Sequence, residues 1–159
     1  QWTANVELLI RSGKLRGLHV MNTINALCLE SLPEFLTWML EWKSKFGRDF
    51  PNFTLNILRF PSFQSPLVLP DEIREHHKQR LQDWLSNFRN HAMLHEHEIN
   101  HVQRLIDYLD VVKTPHRETF EMPKLHNDFK QFYSQYDQRR GKDFTATFPT
   151  LAEWYNGLK

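Results

Sequence analysis

The chain has 159 residues, enough for one domain or for half of a larger one with a packed core. Twenty Lys and Arg against 19 Asp and Glu leave a net charge of +1, which argues against a nucleic-acid or membrane-surface protein that binds through bulk charge. One cysteine, Cys28, excludes an internal disulfide framework and any all-cysteine metal or iron–sulfur site. Five Gly leave little for a phosphate loop, and neither GxGxxG nor a Walker A loop is present.

In chain order, residues 2–11 read as a short helix ending near Gly13. Leu18 to Ile24 follows, with Leu18, Val20 and Ile24 alternating on one side, the period of a strand. Ser31-Leu32-Pro33-Glu34 then has the form of a capping box, with Ser31 as N-cap and Glu34 at the third position. Leu32, Phe35, Leu36, Met39 and Leu40 behind it make the apolar stripe of an amphipathic helix, which Gly47 stops. Phe53 to Phe60 is a second strand, closed by Pro61. The connection is long enough to demand a parallel crossover. Parallel sheets are buried on both faces, so two such strands are an incomplete sheet that needs further strands.

The character changes after Pro70. Ile73, His77, Leu81, Leu85 and Phe88 make one helical stripe. Ile99, Val102, Ile106 and Leu109 make a second, and Leu125, Phe129, Phe132, Tyr133 and Tyr136 a third. Arg139 and Arg140 end that third helix before Gly141, where cations suit the helix dipole. A terminal helix holds Leu151, Trp154, Tyr155 and Leu158. The expected division is a βαβ unit over residues 1–70 and a helical extension over 71–159. The first residue is Gln, so the chain is expected to be processed or cut from something longer. No apolar run reaches the ~18 residues of a membrane span, and no signal-like stretch lies near Gln1, so a cytoplasmic location is expected.

Ligands of parallel α/β folds bind beyond the carboxyl ends of the strands. The polar residues there are Asn22, Thr23 and Asn25 after the first strand and Asn56 and Arg59 in the second. They would line a cavity, or else cap loops and pair with one another. Cys28 reads as a buried small residue and His76-His77 as a helix surface with one ring turned inward. Trp38, Trp42 and Trp84 sit at spacings of helix contacts. The sharpest local pattern is His97-Glu98-x-x-His101, a zincin HExxH, for which Glu118 or Glu121 could be a third zinc ligand. Against that reading, His97 lies about 125° from the apolar stripe of its helix, counting 100° per residue. Glu98 lies near the apolar side, and no HxxGxxH continuation follows.

Several runs together resemble a known family. His19-Val20-Met21-Asn22-Thr23-Ile24-Asn25-Ala26-Leu27 with Ser31-Leu32-Pro33-Glu34-Phe35 resembles the fifth strand and following helix of radical S-adenosylmethionine (SAM) enzymes, where NTTVNxxNxxxLPEL is common. Asn56-Ile57-Leu58-Arg59-Phe60-Pro61, followed by Leu67-Val68-Leu69-Pro70, is similar to the sixth strand of the twitch-domain members. Tyr136-Asp137-Gln138-Arg139-Arg140-Gly141, with Phe144 and Phe148-Pro149, is similar to their C-terminal LDxxRxxxFxxxxP signature.

The resemblance implies an α/β fold: the C-terminal part of a partial (β/α)6 radical SAM barrel with two parallel strands, followed by a mostly helical twitch-like extension. It implies SAM as cofactor, with Asn22, Thr23 and Asn25 near it and Asn56 and Arg59 lining the barrel mouth. A four-iron–four-sulfur (4Fe-4S) cluster would sit on a CxxxCxxC loop in a missing N-terminal barrel half, the expected partner. The substrate would be a small molecule or peptide, met by a fragment inactive on its own. The rivals are a non-catalytic α/β–helical binding module and a zinc hydrolase using His97, Glu98 and His101.

Overall fold

The computed structural model describes residues 2–110 and 122–159. Its elements are α1 (Trp2–Arg11), β1 (His19–Ile24), α2 (Leu32–Phe46), β2 (Asn52–Ile57), α3 (Asp71–Phe88), α4 (Glu96–Leu109), α5 (Met122–Arg140), α6 (Phe144–Thr147) and α7 (Ala152–Gly157). Short 3₁₀ turns lie at Ser62–Gln64, Pro66–Val68 and Pro149–Leu151. The chain is mixed α/β and mostly helical.

β1 and β2 pair in parallel, in a register that sets His19 beside Asn52, Met21 beside Thr54 and Thr23 beside Asn56. α2 makes the crossover between them. Side chains alternate across a strand, so Val20, Phe53, Leu55 and Ile24 share one face. Phe53 and Leu55 have no solvent exposure, and they pack with Leu36 and Met39 of α2 and Val102 and Leu105 of α4. The opposite face carries His19, Met21, Thr23, Thr54 and Asn56. It is uncovered among the described residues, with Met21 74% exposed. β2 ends at Ile57 and not at Phe60. The amide of Leu58 makes the last bond across, to Ile24 O at 2.9 Å, and Pro61 removes a donor soon after.

The two edges of this sheet differ. On β2, the outward amides and carbonyls meet side chains of α4 at positions i, i+3 and i+6. Glu98 Oε1 accepts from Phe53 N at 3.0 Å, and Arg104 Nη2 donates to Leu55 O at 2.6 Å. Arg104 also donates to His101 Nδ1 at 2.9 Å, so that nitrogen is an acceptor and takes the Leu55 amide at 3.4 Å. A helix thus does for β2 what a neighbouring strand would do. On β1, no backbone partner meets the outward groups of His19 and Met21 among the described residues. The sulfur of Cys28 lies 3.7 Å from Thr23 O.

The capping box expected at Ser31 does not form. Ser31 has φ −93° and ψ 1°, away from the extended backbone of an N-cap, and its side chain bonds no helix amide. Glu34 instead pairs with Arg80 of α3. The reciprocal motif appears at α4, where Glu98 Oε2 accepts from the His95 amide at 2.8 Å.

One buried cluster runs from Ile24 and Leu29 through Leu81 and Leu109 to Phe129 and Tyr155, so packing continues across residue 70. In α5 only Phe129 is buried; Phe132 and Tyr136 are 41% and 46% exposed. Asp137 Oδ2 accepts from Phe144 N at 2.8 Å across the turn at Gly141, whose φ of +59° suits glycine.

Candidate functional site

A cavity of about 850 Å³ opens at the carboxyl end of β1. Asn22, Thr23 and Asn25 line it, with Cys28, Glu34, Phe35 and Phe148. Three of the five residues expected to bind cofactor therefore meet in one place. Asn56 and Arg59 are not among its lining residues. Asn56 is nevertheless the cross-strand neighbour of Thr23, on the same exposed face, which prolongs the polar surface along the sheet. Arg59 lies past the end of β2, with its guanidinium 5.5 Å from the ring centre of Tyr108.

The three asparagines and the threonine do different work. Asn25 Oδ1 accepts from the amides of Leu27 and Cys28, at 3.0 and 3.1 Å, and from Cys28 Sγ at 3.0 Å. That is an Asx turn, which folds the chain from β1 towards α2. Asn22 Nδ2 donates to Thr54 O at 3.2 Å, so it is also tied to the sheet. Thr23 and Asn56 make no side-chain hydrogen bond to other described residues. Both are exposed and available to a ligand.

Cys28 is half-buried, and its thiol points back at the Asn25 turn. Phe148 reaches the cavity from the far end of the chain, its ring 5.0 Å from that of Phe144, which in turn stacks on Tyr155 at 4.0 Å. Phe148 and Glu34 belong to the runs that carry the family resemblance, which is the only sequence signal for their place here. Cys28 has none.

The HExxH residues are engaged elsewhere. Glu98 is fully buried. Its Oε1 lies 3.0 Å from Lys43 Nζ and accepts from Phe53 N, and its Oε2 accepts from His95 N. A carboxylate with both oxygens taken and no solvent cannot polarise a water. His97 is exposed, as its angle on the helix requires. His101 faces Leu55, and burial lowers its pKa from the usual imidazole value. Glu118 and Glu121 lie outside the described residues.

Among the described residues, one set of side chains can converge on a metal ion, and it is Glu30, His76 and His77. As expected, one of the two rings is turned inward: His77 is 3% exposed, whereas His76 is exposed. Burial holds the His77 imidazole down to a pKa of about 4, against a smaller opposing pull from Glu30.

No family model, no curated protein and no solved structure matches this chain. None of the described helices is long and apolar enough to cross a membrane.

Proposed function

We propose that this chain is the C-terminal portion of a twitch-type radical SAM enzyme, supplying part of the SAM- and substrate-binding surface at a barrel mouth. The observation that carries the reading is the asymmetry of the sheet. β2 is closed by the chain's own α4, as befits a last strand, and β1 offers to a preceding one an edge that is unpaired among the described residues. The cavity, largely apolar with a few polar groups, lies at the carboxyl end of β1, where such folds bind ligands.

The residues fit SAM in kind. The Thr23 hydroxyl, with the Asn22 Oδ1 and Asn25 Nδ2 that their own turn and sheet bonds leave over, suits the ribose and amino-acid ends of the cofactor, and the cavity volume lies within the usual ligand range of about 300–1,000 Å³. They do not fit a 4Fe-4S cluster, because Cys28 is the only thiol. The cluster, and the radical chemistry that SAM undergoes at it, belong in this proposal to an N-terminal barrel half. The chain's own contribution is to bind and orient. The proposed substrate is a small molecule or peptide, and the proposed location is the cytoplasm.

The test is anaerobic expression of the whole reading frame that encodes this chain, followed by iron and sulfide analysis and assay of 5′-deoxyadenosine formed from SAM under reduction. A loaded cluster with product, and weaker SAM binding in Thr23→Val, supports the reading. A protein without a cluster that leaves SAM intact overturns it in favour of a non-catalytic binding module.

A further inference from the structure

We propose that Glu30, His76 and His77 form a binding site for a single divalent transition-metal ion of the zinc type, joining α3 to the turn between β1 and α2. The inference is independent of the radical SAM reading, because none of these residues lines the cavity beside β1.

One potential ligand atom from each residue lies within 4.8 Å of the others. A tetrahedral ion with bonds of about 2.0–2.1 Å holds its ligand atoms roughly 3.4 Å apart. The remaining gap is closed by small rotations of two side chains that have room to move. His76 is exposed and Glu30 half-buried.

The second observation is His77. Its Nδ1 is completely buried and has no hydrogen-bond partner, the one such side-chain atom among the described residues. Buried polar atoms are nearly always satisfied, so an orphan on a ring grouped with a carboxylate and a second imidazole calls for a ligand. The His76 and His77 rings are 5.4 Å apart and inclined at 60°, which lets both address one point.

The surroundings provide the outer support that metal ligands ordinarily have. Arg80 Nη1 donates to Glu30 Oε1 at 3.0 Å and to Glu30 O at 2.7 Å, which anchors one carboxylate oxygen and leaves the group free to swivel about it. The second carboxylate oxygen is then left for the ion. Arg80 is a cation close to the site, but Glu34 pairs with it from the other side. Two imidazoles and one carboxylate are the donor set of zinc and its first-row neighbours rather than of calcium or magnesium. The exposed side of His76 leaves a fourth position open to water.

The probe is zinc chloride, titrated calorimetrically into purified, metal-stripped protein at pH 7.5. One zinc per chain is expected, with affinity weakened at least tenfold by His76→Ala and by Glu30→Gln. Both variants change surface positions, and Gln keeps an acceptor for Arg80. His97→Ala is expected to bind zinc as the parent does. A parent that binds no zinc overturns the proposal. So does zinc binding that His97→Ala abolishes and His76→Ala leaves intact, which would move the ion to the histidines of α4.

Discussion

Lys43 Nζ and Glu98 Oε1 lie 3.0 Å apart, with both side chains wholly removed from solvent. Lys43 also donates to Arg48 O at 2.5 Å and to Asn52 Oδ1 at 3.2 Å. Burial lowers the Lys43 pKa, and Glu98 opposes that shift. The pair ties α2 to α4 across the end of β2, and Glu98 bonds the Phe53 and His95 backbone as well. Breaking one half of such a pair strands a charge in the core. Glu98→Ala is expected to destabilise the fold by about 3–5 kcal/mol. Urea denaturation of the variant against the parent measures it, and a loss below about 1 kcal/mol would contradict the role given to Glu98.

His77 makes stability depend on pH. Its folded-state pKa of about 4 lies below the 6.5 of an ordinary imidazole, so the unfolded chain binds the extra proton first. The stabilisation is fully present above pH 6.5 and is lost as pH falls towards 4, to a total of about 3 kcal/mol. His101 is shifted in the same direction, so the parent falls by more than His77 alone accounts for. In chelator-treated protein, His77→Leu should be clearly less sensitive between pH 7 and 5 than the parent. Equal slopes for the two proteins would count against the burial argument.

Arg104 closes the edge of β2 with one bond to Leu55 O. Arg104→Met removes it and leaves that carbonyl under-satisfied, at an expected cost of about 1–3 kcal/mol. Hydrogen exchange at amides along β2 should speed up while amides of α5 stay as they are. Uniform change across the molecule would show that the edge bond is not local in effect.

Asn25 and Thr23 line the same cavity but should answer mutation differently. Asn25→Ala removes the acceptor of the Leu27 and Cys28 amides and is expected to cost about 1–2 kcal/mol. Thr23→Val leaves stability within about 0.5 kcal/mol. Thermal melts separate the two, and a binding defect in Thr23→Val therefore reports on the ligand.

Met21 stands exposed on the open strand β1. A charged residue on an edge strand discourages pairing with a second chain. Met21→Lys should reduce concentration-dependent self-association of this chain in sedimentation runs. If the parent stays monomeric at every concentration, the edge is protected in some other way.

What could be read from the sequence was periodic. The alternation of Leu18, Val20 and Ile24 located β1, and the stripes from Ile73 and Ile99 located α3 and α4. The inward ring of His77 followed from the same geometry, as did the outward one of His97. What could not be read depended on partners distant in the chain. Ser31 to Glu34 has the letters of a capping box, yet Arg80, 46 residues beyond Glu34, takes the carboxylate. Glu98 could be set near the apolar side of its helix, but nothing local names Lys43 as its counter-ion. α6 has an N-cap in Asp143, whose Oδ1 accepts from Thr145 N at 2.8 Å, but its four residues are too few to show a period. At the cavity, position at the end of a strand was enough for Asn22, Thr23 and Asn25. Arg59 fell outside it because β2 stops early, and its guanidinium rests on Tyr108.

The cover that α4 lays over β2 sets a timetable for the newborn chain. Phe53 leaves the ribosome 45 residues before Glu98, the group that satisfies its amide. At about 5–20 residues per second, that interval is roughly 2–9 s. Throughout it, the outer margin of β2 is bare, so this is when the growing polypeptide most needs a chaperone's shelter.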